Sequence, residues 1–172
     1  MKTAARAAVF LLRGYSPKDL NQLCAIDRQC FPEKVAYAPE LMRKTIEEKD
    51  TFTIVAEDET GETAGFIAGF IVAGRTSPRI GHIATLDVAP GFRRDGLGTL
   101  LMRTAESQLA RIGVRKIRLE TATDNPARRL FARLGYKRVG RIERYYPDGS
   151  DAWVMEKPMA HKERNRSPRG RG

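Results

Sequence analysis

A strand, a basic turn and a helix stand in direct succession in the second half of this chain. An apolar run covers residues 83–88, and residues 97–112 carry apolar side chains at helical spacing until Gly113 ends the pattern. The turn between them contains the sequence Arg93-Arg94-Asp95-Gly96-Leu97-Gly98. A helix that follows a strand so closely has to pack on the sheet to which that strand belongs. This succession therefore predicts an α/β fold.

The same turn predicts an anion-binding site. The first N–H groups of an α-helix have no partner within the helix, and the helix dipole adds positive charge at that end. Phosphate groups are ligands that such a helix end binds readily. The turn lacks the third glycine of a dinucleotide-binding motif, and the chain has no Walker-type phosphate loop. The sequence therefore predicts a phosphorylated ligand of another kind, unless this is an ordinary strand-to-helix turn.

Periodicity and turn residues divide the rest of the chain into further elements. Ser16, Pro17 and Asp19 are typical of a helix start, and residues 59–62 form a turn between two β-rich runs. Glycines at 65, 69 and 74 either weaken the second run or admit a close backbone neighbour. The predicted strands cover residues 9–13, 51–57, 64–74, 79–88, 114–121, 136–145 and 151–155, and the predicted helices cover residues 17–30, 39–48, 97–112 and 125–134. This order predicts a mixed sheet with helices on both faces.

Charge divides the chain into two unequal halves. Residues 1–80 hold 11 basic and 11 acidic side chains, whereas residues 81–172 hold 20 and 10, so the second half carries the whole net charge of +10. A polyanionic ligand or partner should meet this half, unless the charge serves only solubility. Residues 1–159 suit one domain, and residues 160–172 form a basic tail that we predict to be disordered.

Two cysteines and short apolar runs predict a cytoplasmic protein. Cys24 and Cys30 are too few for a disulfide scaffold and fit a reducing compartment. The apolar run before Arg13 is shorter than the roughly 7–15 residues of an export signal. No stretch approaches the roughly 20 apolar residues of a membrane span, so we expect no membrane partner.

Further motifs appear in a fixed order on both sides of the basic turn. They are His82 to Pro90 before it, and Leu119-Glu120-Thr121, Asn125, Leu130-Phe131 and Gly135-Tyr136 after it. Together these motifs resemble the GNAT acetyltransferases, and among them the RimI-type enzymes that acetylate N-terminal α-amino groups. The resemblance covers residues 9–159. It implies a mixed, mostly antiparallel sheet of six to seven strands, with splayed central strands and about four helices on both faces.

In the resembled family, the basic turn binds the pyrophosphate of acetyl-CoA. The residues that the resemblance assigns to this co-substrate are Leu86, Val88, Arg93, Arg94, Asp95, Gly96, Leu97, Gly98, Thr99 and Asn125. Backbone N–H groups from Arg94 to Thr99 would bind the pyrophosphate, to which Arg93 and Arg94 would add charge. The backbone of Leu86 and Val88 would pair with the pantetheine arm as an added strand, and the Val88 N–H would donate to the thioester oxygen. No metal is implied.

Acetyl transfer needs a neutral amine, so a general base is expected. Glu120 matches the catalytic glutamate of the family and is the first candidate. Its alternative role is an ion pair with Arg118 or Arg128. His82 is one of only two histidines and faces the acceptor side by the same resemblance, which makes it the second candidate. A lone histidine in a strand is more often a packed or hydrogen-bonded residue.

Phe131 departs from the family pattern. RimI-type enzymes place there a tyrosine that is proposed to protonate the leaving thiolate, and phenylalanine has no proton to donate. The thiolate then leaves unassisted, or water or another tyrosine supplies the proton. Cys24 and Cys30 raise the possibility of an acetyl-cysteine intermediate, but we expect both on the first helix, away from the thioester.

The resemblance places the acceptor between two loops. Phe31, Pro32 and Tyr37 lie in the first of these, and Tyr145 and Tyr146 lie in the hairpin that joins the last two strands. Paired tyrosines can clamp a peptide with their hydroxyls and present apolar ring faces to its first side chain. Alternatively, these rings only close the edges of the sheet. The basic tail could contact ribosomal RNA.

The sequence thus predicts an enzyme that moves the acetyl group of acetyl-CoA to the N-terminal α-amine of a protein or peptide. The expected mechanism is direct attack in a ternary complex, with Glu120 as the general base. Acetylation of lysine or of a small amine is the first alternative. The second is a non-catalytic module that binds acetyl-CoA or nucleic acid, which the phenylalanine at position 131 favours.

Overall fold

Seven strands form one sheet with helices on both of its faces. The computed structural model of the protein describes residues 8–72 and 78–160. The strands are β1 (Leu11–Gly14), β2 (Thr51–Glu57), β3 (Thr63–Val72), β4 (Ile80–Val88), β5 (Lys116–Ala122), β6 (Lys137–Ile142) and β7 (Ala152–Pro158), and the helices are α1 (Leu20–Cys30), α2 (Pro39–Glu47), α3 (Leu97–Arg111) and α4 (Arg128–Arg133). The predicted fold class, with its number of strands and helices, is confirmed.

The strands lie in the order β1-β2-β3-β4-β5-β7-β6 across the sheet. Every neighbouring pair is antiparallel except β4 and β5, which are parallel. Parallel neighbours need a long crossover connection, and α3 provides it here. The succession of strand, turn and helix therefore lies at the centre of the sheet.

Two hydrophobic cores lie on opposite faces of the sheet. Leu23 of α1 packs on one face together with Phe66 of β3, and Leu101 of α3 packs on the other face together with Ile67. Successive side chains of a strand point to opposite faces. The neighbours Phe66 and Ile67 therefore enter different cores, and β3 holds the helices of both layers against the sheet.

The central strands β4 and β5 separate halfway along their length. Their pairing covers only Ile80 to Ile83 on β4 and Lys116 to Leu119 on β5. β4 then continues to Val88 and β5 to Ala122 without pairing with each other. The sheet therefore contains an opening at its centre, as the splayed central strands of the prediction require.

A β-bulge in β4 accounts for this separation. Ala68 of β3 pairs with Thr85 and its neighbour Gly69 pairs with Ile83, which leaves Ala84 as an extra residue. A bulge of this kind bends a strand and increases its twist, which turns the rest of β4 away from β5. A side chain at Gly69 would place its Cβ 2.1 Å from the carbonyl oxygen of His82, so only glycine fits opposite the bulge.

Several element boundaries differ from the predicted ones. Helix α4 is shorter than the predicted residues 125–134, because the Asn125 side chain accepts the N–H of Ala127 at 2.9 Å and holds the preceding residues in a turn. Strand β6 ends at Ile142 rather than at residue 145, which lengthens the hairpin that carries the two adjacent tyrosines. The prediction for Gly74 and most of the predicted basic tail fall outside the described residues.

Candidate active site

A cleft of about 760 Å³ opens where β4 and β5 separate. It brings together residues that lie far apart in the sequence. The predicted site residues that line it are Phe31, Tyr37, His82, Leu86, Glu120, Asn125, Tyr145 and Tyr146. Phe131 also lines it, whereas Pro32, Val88 and the basic turn lie outside its lining. The cleft therefore joins the two candidate catalytic residues to both acceptor loops.

Glu120 lies at the end of the paired part of β5 and accepts hydrogen bonds at both of its carboxylate oxygens. His82 Nε2 lies 2.5 Å from Oε2, and Arg118 Nε lies 2.9 Å from Oε1. The Glu120 side chain is only 7% exposed. The parallel pairing places His82 opposite Arg118, two residues before Glu120. The two candidate catalytic residues are thus in direct contact, and the alternative ion pair with Arg118 is also present.

The environment of Glu120 favours its ionised form. Burial raises the pKa of this carboxyl, but the hydrogen bonds from His82 and Arg118 and the positive charge of Arg118 oppose this effect, and the net pKa is lowered. The Tyr145 phenol lies close enough to Glu120 for the carboxylate to raise the pKa of Tyr145. Glu120 therefore carries a negative charge at neutral pH and can accept a proton there.

The His82 side chain is held in place by ring stacking as well as by its hydrogen bond to Glu120. The ring stacks on Phe70 with a centroid distance of 4.5 Å and an interplanar angle of 28°. Nδ1 is buried and has no hydrogen-bond partner among the described residues. Because the ionised Glu120 can only accept, the contact requires the tautomer that carries its proton on Nε2.

Three tyrosines face the acceptor end of the cleft. The rings of Tyr145 and Tyr146 meet edge to face with centroids 4.9 Å apart, and the Tyr37 hydroxyl lies 3.3 Å from the carbonyl oxygen of Ala84. Burial raises the pKa of all three phenols. They therefore remain neutral hydrogen-bond donors across the neutral pH range.

The start of α3 lies beside the unpaired end of β4, because a Cβ at Gly98 would lie 4.0 Å from the side chains of Leu86 and Val88. Arg94 and Gly96 both adopt positive φ angles, +69° and +80°, and the helix begins at the next residue, Leu97. The first helical hydrogen bond runs from the Leu100 N–H to the Gly96 carbonyl at 3.0 Å. The N–H groups of residues 97–99 therefore precede the first full turn and point out of the helix end, as an anion site requires.

Arg93 does not extend from the turn as a free cation. Its Nε donates to the carbonyl oxygen of Val88 at 3.0 Å, and one terminal nitrogen lies 3.5 Å from the Cys30 sulfur. The neighbouring Ala89 N–H bonds to β3 at the Ala64 carbonyl. Since successive peptide groups of a strand point to opposite sides, the Val88 backbone faces the gap toward β5.

Cys30 corrects one expectation about the cysteines. Both lie on α1 as predicted, but Cys30 Sγ lies 3.4 Å from the carbonyl oxygen of Val88, the residue assigned to the thioester. Burial raises the pKa of this thiol to about 11, so it is protonated at neutral pH. A protonated thiol is a poor nucleophile, and Cys24 is fully buried. The geometry therefore favours direct attack over an acetyl-cysteine intermediate.

Two features of the site escaped the sequence reasoning. Phe70, which stacks on His82, is one of several aromatic residues in β-rich runs and has no distinguishing pattern. The side chain of Asp87, a residue of β4, is fully buried, and the neighbouring charge of Asp27 on α1 raises its pKa. An acidic residue in the middle of an apolar run is the signal that could have revealed it.

Two further findings apply to residues 8–72 and 78–160. No three histidine, cysteine, aspartate or glutamate side chains there are grouped so as to hold a metal ion. No helix in those ranges is both long enough and apolar enough to span a membrane.

The chain belongs to the acetyltransferase (GNAT) family, because residues 20–136 match the model of that family. It is similar to an N-alpha-acetyltransferase of Sulfurisphaera tokodaii, with 28% identity over 165 residues that cover 91% of this chain and 97% of the relative. The fold and the family together define an acetyltransferase of the GNAT type.

Solved structures share the fold across nearly the whole chain. The ribosomal-protein-S18-alanine N-acetyltransferase from Escherichia coli is 21% identical, with a TM-score of 0.78 over 91% of this chain and 98% of that one. Arabidopsis thaliana NAA60 in complex with acetyl-CoA is 23% identical, with a TM-score of 0.78 over 88% of this chain and 99% of that one. At these identities the likeness concerns the fold.

Proposed function

We propose that this protein transfers the acetyl group of acetyl-CoA to the N-terminal α-amine of a protein or peptide. One observation carries the proposal: Glu120, ionised and bonded to His82, lies where the gap between β4 and β5 meets the tyrosine-lined end of the cleft. The printed names of the relatives, an N-alpha-acetyltransferase and an S18-alanine N-acetyltransferase, support an α-amine acceptor.

Acetyl-CoA would bind along the donor side of the cleft. Its pyrophosphate would accept hydrogen bonds from the backbone N–H groups between Arg94 and Thr99, at the start of α3, and Arg94 would supply a positive charge. Its pantetheine arm would add to β4 at Leu86 and Val88, where β5 no longer pairs. Asn125 lines the cleft from the opposite side. A protein with the same fold has been solved in complex with acetyl-CoA, which supports acetyl-CoA as the donor.

The chemistry needs no covalent enzyme intermediate. The amine nitrogen attacks the thioester carbon, and the Val88 N–H stabilises the negative charge that develops on the oxygen. Attack makes the nitrogen acidic, so its proton passes to Glu120, directly or through a water molecule. The carbon–sulfur bond then breaks, and CoA leaves as a thiolate. Phe131 lines the cleft and has no proton to donate to that thiolate, so we infer that solvent protonates it after release.

The lowered pKa of Glu120 favours an α-amine over lysine. A carboxylate that is held ionised is a weak base toward a free ammonium group, so the acceptor must already be partly neutral. With a pKa of about 7.7–8.0, roughly one α-amine in ten is neutral at pH 7, whereas a lysine with a pKa near 10.4 is neutral in only about one molecule in 2,500. His82 orients Glu120 and completes the catalytic pair.

We also propose where the enzyme works and which partners it contacts. We place it in the cytoplasm because Cys24 and Cys30 are both free thiols. A protein or peptide acceptor would meet Phe31, Tyr37, Tyr145 and Tyr146, which line the cleft, and Pro32, which follows Phe31 outside that lining. Contact of the basic tail with ribosomal RNA would bring the enzyme close to newly made chains.

A matched set of peptides tests the proposal. Each peptide contains one internal lysine and carries either a free or a blocked N-terminus, and release of the CoA thiol is followed while mass spectrometry locates the acetyl group. We expect acetylation of the free N-terminus and none of the blocked peptide. Acetylation of the internal lysine alone would contradict the α-amine assignment. Tight acetyl-CoA binding without turnover on any peptide or small amine would identify a non-catalytic module.

A further inference from the structure

Two buried aspartates lie beneath the acceptor side of the cleft, and the proposed chemistry uses neither. Asp27 is on α1, Asp87 is on β4, and both are fully buried. Buried carboxylates in proteins are normally paired with a cation or neutralised by a proton. Here packing of α1 on β4 instead brings the two carboxyl groups together. Cys30, one helical turn after Asp27, contacts the carbonyl oxygen of Val88, next to Asp87, at 3.4 Å, and each carboxyl alters the pKa of the other.

The hydrogen-bond donors around the two carboxyls leave one oxygen of each without a partner. Asp27 Oδ2 accepts the Tyr37 N–H at 2.6 Å, and Asp87 Oδ1 accepts the Thr85 hydroxyl. Asp27 Oδ1 and Asp87 Oδ2 are buried without a donor among the described side chains. A single proton between the two carboxyls would satisfy both oxygens and would leave one negative charge where two would repel.

Local donors decide which carboxyl carries the proton. A backbone N–H stabilises the ionised form of Asp27, whereas Asp87 receives only a hydroxyl. Burial and the neighbouring Asp27 charge raise the pKa of Asp87 well above its usual range, and burial raises the pKa of Asp27 as well. The pair therefore titrates as one unit, with its proton on Asp87.

The aspartate pair connects the acceptor loop to the part of β4 that does not pair with β5. Tyr37, which donates its N–H to Asp27, reaches the bulge of β4 with its hydroxyl at the Ala84 carbonyl. Asp87 stands between Leu86 and Val88, beyond the last residue of β4 that pairs with β5. We propose that the Asp27–Asp87 pair shares one proton and that this hydrogen bond positions Tyr37 and the acceptor loop against β4.

The proposal rests on the proposed function only for the identity of the acceptor. The two aspartates touch no reacting atom, so they act as positioning residues for Tyr37 and for the acceptor loop. Loss of the shared proton at alkaline pH would place two charges side by side and push α1 away from β4. Because the pKa of Asp87 is raised by folding, its favourable effect on stability is complete at low pH and is lost as pH rises through that value.

Other ionisable groups near the pair do not replace its proton. Arg28 of α1 donates to the carbonyl of Cys24, and Arg93 donates to the carbonyl of Val88, although the charge of Arg93 lowers the pKa of Asp87 in part. The pKa of Cys30 is raised to about 11 and that of Tyr37 is also raised, so both stay neutral near pH 7. Side chains of α2 and β3 in this core are apolar.

Asp87→Asn tests the shared proton, because the amide donates to Asp27 at every pH. The measured quantity is the ratio of kcat/KM for the acceptor in this variant to that in the wild type, from neutral to alkaline pH. Ionisation of the acceptor amine cancels in the ratio. We expect a ratio near one at neutral pH that rises about tenfold at alkaline pH, through the acceptor KM, as the wild type loses this hydrogen bond. A ratio that does not change with pH would overturn the proposal.

Infrared spectroscopy gives a second test that needs no substrate. The wild type at neutral pH should show the carbonyl stretch of one buried, protonated carboxylic acid, and Asp87→Asn should remove it. Absence of the band in the wild type, or its persistence in the variant, would overturn the assignment. If the band is present but no peptide is acetylated, the proposed function fails while the shared proton stands. Asp87→Leu, which keeps the shape without a donor, should raise the acceptor KM at neutral pH and leave the acetyl-CoA KM unchanged.

Discussion

The two sides of the cleft are built from different kinds of atoms. The proposed donor side consists mainly of backbone groups, from the unpaired end of β4 and the start of α3. The proposed acceptor side consists of side chains, Tyr37 from one loop and Tyr145 and Tyr146 from a distant hairpin. A backbone site depends on strand pairing and helix position, whereas a side-chain site depends on which residues each loop carries. The donor can therefore stay the same in a family while the acceptor changes.

Glu120 belongs to both sides, and its replacement should have the largest effect. Glu120→Gln keeps the shape and the contact with His82 but cannot accept a proton. We expect kcat to fall by about 10²–10⁴-fold, the usual contribution of a general base, while acetyl-CoA affinity measured by calorimetry is unchanged.

The matched control for this variant is Glu156→Gln. Glu156 pairs with Lys116 at 2.9 Å and with Arg118 at 3.9 Å on the neighbouring strand, so it shares Arg118 with Glu120, but it does not line the cleft. Its replacement should leave kcat within about twofold of the wild type, since surface ion pairs contribute little. Equal losses in the two variants would show that Glu120 acts only through the structure of the sheet.

The donor side can be disturbed through the backbone at Gly96. This residue has a φ of +80°, where a side chain costs about 1–2 kcal/mol. Gly96→Ala should therefore raise the acetyl-CoA KM about tenfold and leave the peptide KM unchanged. Gly91→Ala is the control, because its Cβ would meet nothing within 4 Å and Gly91 has no positive φ. If only the peptide KM rose, the turn would belong to the acceptor side.

The acceptor side can be disturbed through single hydroxyls. Tyr145→Phe removes a hydroxyl near Glu120 that we propose binds the peptide, and it should raise the peptide KM between about twofold and tenfold, the value of one hydrogen bond. The acetyl-CoA KM should not change. Tyr136→Phe is the control, since that hydroxyl faces Glu106 outside the cleft. A rise in the acetyl-CoA KM for Tyr145→Phe would contradict the division into two sides.

The smallest effect should come from Phe131→Tyr, which restores a hydroxyl beside the cleft. A thiol is acidic enough, with a pKa of about 8.5 for cysteine, that its thiolate leaves without help. We therefore expect kcat to change less than about threefold. An increase of a hundredfold would show that protonation of the leaving group limits the present enzyme.

The same contrast explains what the sequence could predict. The donor side follows from one continuous stretch, since the apolar run of residues 83–88 and the helical spacing after Leu97 define a strand, a turn and a helix. The family resemblance named His82 and Glu120 as separate candidates, and their contact was not predicted because it joins two strands. Leu86 and Asn125 were placed in the cleft in the same way.

The features that sequence reasoning missed or misplaced depend on packing between elements that lie far apart in the sequence. The side chain of Arg93 folds back on Val88, although its position in a basic turn suggested a phosphate contact. The approach of Cys30 to Val88 depends on how α1 lies on β4. Asp27 and Asp87 are 60 positions apart, and neither residue alone indicates a pair. Periodicity describes one element at a time and does not describe contacts between elements.

The most direct test of the account is the affinity of two CoA–peptide conjugates. In one, CoA is linked to the N-terminal nitrogen of a peptide, and in the other it is linked to the lysine nitrogen of the same peptide. If donor and acceptor meet at Glu120 as proposed, the N-terminal conjugate should bind at least about tenfold more tightly than CoA alone and than the lysine conjugate, because one molecule occupies both sides. Binding no tighter than that of CoA, or a preference for the lysine conjugate, would contradict the account.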